Sequence, residues 1–228
     1  MLALHAKDYY VSPIYPILFA AGGIAWETRL KGRRSVRAGG AFAFPIFEPT
    51  ILLLALPVLP LSLPLMSPTQ WMRYTKATHL YGLNGNTENN ASGPLPQFYA
   101  DRFGWQEEVD QVTRIYNALP PAQQKITGIL CANYGEASAI NFLGHDLPVA
   151  ISGHNTYWLW GTHGYTFDSM IVIEGSTPAH LRLFFDSVQV VGHMGTSWSM
   201  PFEHRTIYLV TGRRFDPNDL WPKKKDYI

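Results

Sequence analysis

One stretch constrains this chain more than any other. Gly39 to Met66 reads GGAFAFPIFEPTILLLALPVLPLSLPLM, 28 residues with a single charge, Glu48. At 1.5 Å rise per residue, about 20 apolar residues cross a hydrocarbon core of about 30 Å, so the run is long enough to cross once. It is apolar all round and lacks the polar stripe of a surface helix. It also carries Pro45, Pro49, Pro57, Pro60 and Pro64. That many prolines would break a helix in water, whereas neighbouring helices in a membrane bundle re-satisfy the freed carbonyls. Against the alternative of a buried globular helix, the expectation is a membrane helix over about residues 44–66.

A second apolar run precedes it. Tyr9 to Trp26 (YYVSPIYPILFAAGGIAW) is 18 residues without a charge, with Tyr9, Tyr10 and Tyr15 at one end and Trp26 at the other. Aromatic residues at both ends of such a run match the membrane–water interfaces. Between the two runs, residues 27–38 carry Arg29, Lys31, Arg33, Arg34 and Arg37. Under the positive-inside rule this loop is cytoplasmic, which places everything after Met66 outside. Residues 1–68 thus form the expected membrane segment, 69–93 a polar linker, and 94–228 a separate domain. Charged residues are 15% of the chain, against about 25% in typical soluble proteins. The formal net charge of +1 provides no field for nucleic acid. Cys131 is the only cysteine, which excludes an intramolecular disulfide and any multi-cysteine metal site.

The 94–228 domain is expected to be α/β. Trp105, Val109, Val112, Tyr116 and Leu119 recur at helical spacing, and Pro120-Pro121 stops the helix that begins at Phe103. On this pattern Glu107, Glu108, Asp110 and Arg114 share the polar face. Short apolar runs at 126–132, 148–152, 169–174, 188–191 and 206–210 are expected strands. Helices are expected over 136–143 and 178–186, the latter capped by Thr177. Alternating strand and helix predicts a mostly parallel, Rossmann-like sheet with helices on its faces.

Open α/β sheets bind ligands at the carboxyl ends of their strands. Two polar, aromatic loops fall at such ends, one at Asn133, Tyr134, Gly135 and Glu136, the other from Ser152 to Gly161. Glu136 falls near a helix N-terminus, where the dipole stabilises a carboxylate. His154 and Asn155 have the chemistry to hydrogen-bond sugar hydroxyls, and Tyr157, Trp158 and Trp160 to stack on a sugar ring. The same aromatics equally serve packing. At the other end of the chain, Lys7, Asp8, Tyr9 and Tyr10 sit at the edge of the first apolar run, with Lys7 placed to meet an anionic lipid phosphate. The histidines show no HExxH spacing, and there is no GxSxG, Walker A or GxGxxG segment. No metal and no cofactor are expected.

Three segments carry a family resemblance: His5 to Pro16 (HAKDYYVSPIYP) with Phe19 to Gly22, Asn133 to Ala137 (NYGEA), and Ser152 to Gly161 (SGHNTYWLWG). Together they resemble bacterial glycosyltransferase family 39 proteins, polytopic membrane enzymes related to protein O-mannosyltransferases and lipid A aminoarabinose transferases. The resemblance implies a GT-C fold with a periplasmic domain, and transfer of a sugar from a polyprenyl-phosphate donor to an acceptor on the outer side of the bacterial inner membrane. It implies a donor-phosphate contact for Lys7. The family's catalytic carboxylate lies in an early extracytoplasmic loop that has no counterpart here, so no catalytic residue is carried over.

Three functions follow. In the first, the chain is the C-terminal part of such a transferase, inactive alone, with membrane lipid, the polyprenyl-phosphate sugar and a separately encoded N-terminal part as partners. General base catalysis needs a carboxylate within hydrogen-bond reach of the acceptor, and this chain lacks that loop. In the second, it is a stand-alone membrane-anchored module whose Trp-rich loop binds carbohydrate or protein. A soluble enzyme with a hydrophobic N-terminus is the third and weakest reading.

Overall fold

The computed structural model describes residues 12–34, 49–63, 65–80, 91 and 93–227. The chain divides into two compact units, Met1–Asn90 and Ala91–Ile228.

In the first unit, the expected membrane helices are overturned. Among the described residues, no helix is long and apolar enough to cross a membrane. The first helix runs Tyr15–Arg34 and continues into the expected loop. Its apolar part, Tyr15 to Trp26, is 12 residues, and Glu27, Arg29, Lys31, Arg33 and Arg34 follow within the next eight. Twelve residues of helix span only about 18 Å, well short of a hydrocarbon core. In the second apolar run, residues 49–55 are helical, a turn follows at 56–58, and a separate short helix spans Leu59–Ser62. Pro57 lies in the turn and Pro60 in the first turn of the short helix, so the prolines divide the run. The apolar side chains of Ile17, Leu18, Phe19, Ile24, Leu52, Leu53 and Leu54 are exposed. Within the expected polar linker a further helix forms over Pro68–Ala77. Ser67 and Gln70 start it with a reciprocal capping box.

The second unit is α/β around one five-stranded sheet of order β2-β1-β3-β5-β4. The strands are β1 (Thr127–Cys131), β2 (Ala150–Ser152), β3 (Ser169–Glu174), β4 (Phe185–His193) and β5 (Thr206–Arg213). All five expected strands are present. The sheet is nevertheless mixed, not mostly parallel. β1 pairs parallel with β2 and β3, but β5 pairs antiparallel with both β3 and β4. Residues 175–184 between β3 and β4 hold only the four-residue helix Pro178–Leu181, capped by Thr177 as expected. The expected helix over 178–186 stops there because Phe185 is committed to the sheet. Its ring meets Phe215 edge-on at 5.5 Å in the core. The chain then returns through β5, which inserts between β3 and β4 with opposite polarity.

The period-2 alternation of the strands builds a core on each face of the sheet. Ile129, Cys131, Ile171, Ile173 and Ile207 pack on one side with Val109, Val112, Ala137 and Ile140 from two helices. Leu130, Met170, Val172, Tyr208 and Val210 pack on the other with Phe167, Leu181 and Phe185. Coverage of both faces explains why the central strands read as unbroken apolar runs. The first of those helices spans Trp105–Asn117, started by Gly104 at φ +102°, and the second spans Tyr134–Leu143.

Candidate functional site

β1, β2 and β3 end at one edge of the sheet, at Cys131, Ser152 and Glu174. The two loops singled out in the sequence leave β1 and β2 at this edge and meet there. The rings of Tyr134 and His154 lie 5.0 Å apart at 30°.

The first loop is a capping box. The Asn133 side chain accepts from the Glu136 amide at 2.9 Å, and Glu136 Oε2 accepts from the Asn133 amide at 3.1 Å. Because β5 runs antiparallel, its amino-terminal end lies at the carboxyl edge of its neighbours. That delivers Glu203 and Arg205 to the same place. Arg205 Nε donates to Glu136 Oε1 at 3.3 Å, and Asn133 Nδ2 donates to Glu203 at 3.4 Å.

Beneath this edge lies a cluster of carboxyl groups, Glu108 and Glu136 buried and Glu203 half-buried. Glu108 lies beside Glu136 and Glu203, and the Arg205 guanidinium acts on the latter two. Glu108 is fully buried, and neither of its oxygens has a hydrogen-bond partner among the described residues. Burial, reinforced by Glu136 and Glu203, pushes its pKa up to about 9. Burial and then Glu203 raise Glu136 to about 8, against the lowering pull of the Asn133 amide, Arg205 and the Ala132 backbone. Burial also raises Glu203, opposed by Arg205 and by hydrogen bonds from Asn133 and Glu136. Glu108 and Glu136 thus hold protons at neutral pH. The polar face expected to include Glu108 is therefore corrected. Glu108 stands one helical turn from Val112 and beside Val109, on the stripe that enters the core.

The second loop opens at Asn155, whose φ of +51° is a conformation asparagine tolerates better than most residues. A six-residue 3-10 helix, Asn155–Trp160, follows. Its aromatics divide by role. Tyr157 is buried, and its hydroxyl accepts from Asn141 Nδ2 at 3.0 Å. Asn141 also donates to the Ala150 carbonyl and accepts from the Ala150 amide, tying helix to β2. Trp158 Nε1 donates to the Trp221 carbonyl at 3.0 Å, and Trp221 Nε1 returns a bond to the Trp158 carbonyl at 3.3 Å. Trp160 packs on Tyr157 at 4.3 Å between ring centroids yet stays 62% exposed.

Of the sequence-predicted residues, Tyr134 and Trp160 present open rings, and Asn133 and Asn155 are half-buried. Glu136, His154 and Tyr157 are buried, and Trp158 is half-buried against Trp221. Asn155 Nδ2 lies 3.1 Å from His154 Nε2. Lys7, Tyr9 and Tyr10 lie outside the described residues. Among the described residues, no group of three or more His, Cys, Asp or Glu has the geometry to hold a metal ion. Sequence reasoning missed Glu108, Asn141, Glu203, Arg205, Trp221 and the lysines at 223–225. Only the last left a local signal, three consecutive charges near Trp221.

The fold and the edge together define an α/β unit with an aromatic, polar site at the strand carboxyl ends. No protein-family model, curated protein or solved structure matches this chain.

Proposed function

We propose that the Ala91–Ile228 unit recognises carbohydrate for a lipid-linked sugar transferase of the family 39 kind. In this reading the sugar lies against the exposed rings of Tyr134 and Trp160, with Asn133 and Asn155 supplying amide hydrogen bonds to its hydroxyls. The observation that carries it is the Tyr134–His154 stack. It joins the two loops that resemble family 39 motifs and leaves an aromatic ring from each open to solvent. Aromatic rings suit sugars because the C–H face of a pyranose is apolar while its rim is polar.

The transfer step is assigned to a carboxylate outside this unit. Glu136 is fully buried and engaged by Asn133 and Arg205, so it acts on the fold and not on an acceptor hydroxyl. The working location is the extracytoplasmic side of a bacterial membrane, with the polyprenyl-phosphate sugar as donor.

Saturation-transfer NMR on the full chain with monosaccharides, and with a short-chain polyprenyl-phosphate sugar, tests this reading. Sugar protons should receive saturation from the wild type and lose it in Y134A/W160A. Equal transfer from the double variant, or none from the wild type, refutes it.

A further inference from the structure

A groove of about 390 Å³ lies at the same strand edge. Cys131 and Ala132 after β1, Gly153 and His154 after β2, and Glu174 at the end of β3 form one side. Lys223, Lys224, Lys225 and Asp226 complete it. We propose that this groove binds the phosphoryl group of a phosphate monoester, held by Lys223 and Lys225. The proposal does not rest on the sugar reading of Tyr134 and Trp160.

Three lysines line the groove, and they are not equivalent. Lys224 Nζ is paired with Glu174 Oε1. Lys225 Nζ sits over two rings, 5.0 Å from the centre of Trp158 and 4.7 Å from that of Tyr227. Ring faces fix the position of an ammonium without neutralising it. Among the described residues, neither Lys223 nor Lys225 pairs with a carboxylate. Asp226 is the one opposing carboxylate not already paired, and it is exposed, where water screens it. Lysine is a point-charge binder of phosphate, and two free ammonium groups on one groove match a doubly charged oxyanion better than a single carboxylate. The volume exceeds what a bare phosphate fills and falls in the range of small-ligand sites, which favours an ester.

The backbone that carries the lysines is held in place before any ligand arrives. Residues 224–226 run beside 153–155 as a short extra bridge. The Asp226 amide donates to the Gly153 carbonyl at 3.0 Å, and the Asn155 amide donates to the Asp226 carbonyl at 2.7 Å. A Cβ at Gly153 would overlap the Lys224 carbonyl oxygen, so this approach needs glycine there. The reciprocal Trp158–Trp221 bonds anchor the start of the strap. Preorganisation of this kind lowers the ordering entropy that binding must overcome.

The test uses the full chain with glycerol phosphate, followed by 31P NMR line width, and with vesicles of phosphatidic acid in phosphatidylcholine against phosphatidylcholine alone, followed by co-sedimentation. Binding should weaken at least tenfold in K223Q/K225Q, with circular dichroism unchanged. It should persist in K125Q/R182Q, which removes the same charge elsewhere on the unit. Line broadening by glycerol phosphate without vesicle binding identifies a soluble ester. Preferential sedimentation with phosphatidic acid identifies a lipid headgroup. The proposal is overturned if neither probe binds, if K223Q/K225Q binds as the wild type does, or if the control variant loses as much.

Discussion

Glu108 makes the stability of this protein depend on pH in a direction opposite to most carboxylates. In the folded chain it keeps its proton to about pH 9, whereas an unfolded glutamate ionises near 4.5. Below 4.5 both states are protonated and the group is neutral in its effect. As pH rises from there, the unfolded chain gains the freedom to ionise and the folded chain does not, so stability falls by about 1.4 kcal/mol per unit. The loss levels off once pH passes the folded value. At pH 7 the gap is about 2.5 units, an accumulated penalty of about 3 kcal/mol relative to pH 4.5. Glu108→Gln keeps the shape and removes the titration. Urea unfolding followed by tryptophan fluorescence at pH 5, 6, 7 and 8 should show the variant gaining on the wild type by about 1 kcal/mol or more per unit. Glu136 and Glu203, which face Glu108, are present in both proteins, so the difference between the two curves reports chiefly on Glu108. Parallel curves would refute the reasoning. They would mean that Glu108 is ionised or solvated in the folded chain.

Two further perturbations test the fold. Ile171 is fully buried in the central strand β3. Ile171→Ala should destabilise by roughly 2–5 kcal/mol, seen as a lower urea midpoint with an unchanged slope. Gly153→Ala should displace the 224–226 strap while leaving the sheet intact. Hydrogen exchange should then lose protection at the amides of Asn155 and Asp226 but retain it at Ile171 and Val172. Retained protection at Asn155 and Asp226 would show that the strap accommodates the methyl group.

The strands were legible because their information is local. Ile129, Leu130 and Cys131, and Met170 to Ile173, are apolar on both faces, and only a strand covered on both sides needs that composition. The Tyr134–Leu143 helix was read only from Glu136, although the three-residue spacing of Asn133 and Glu136 is a capping signal that marks its start. The polarity of β5 was not legible. Thr206 to Val210 has the same apolar pattern whichever way it runs, and only its placement between β3 and β4 sets the direction. Glu108 was misplaced for a related reason. A carboxylate on the margin of a helical stripe is read as exposed unless the neighbours that cover it are known. The expected membrane helices failed at their ends. Apolar composition was counted over 9–26 and 44–66, but helix continuity was decided by the charges after Trp26 and by Pro57 and Pro60.

The sequence by itself determined where the five strands and the Trp105–Asn117 helix form, and which two loops leave the strand ends. Periodicity, caps and proline stops act over a few residues and are written in order along the chain. The tertiary structure alone decided what those loops became. It set Trp158 on Trp221 and Lys225, and closed the 224–226 strap over Gly153. By running β5 backwards it also brought Arg205 and Glu203 to Glu136 and Asn133. These pairings join residues roughly 70 positions apart, and their energies depend on burial and on partners that no local pattern encodes.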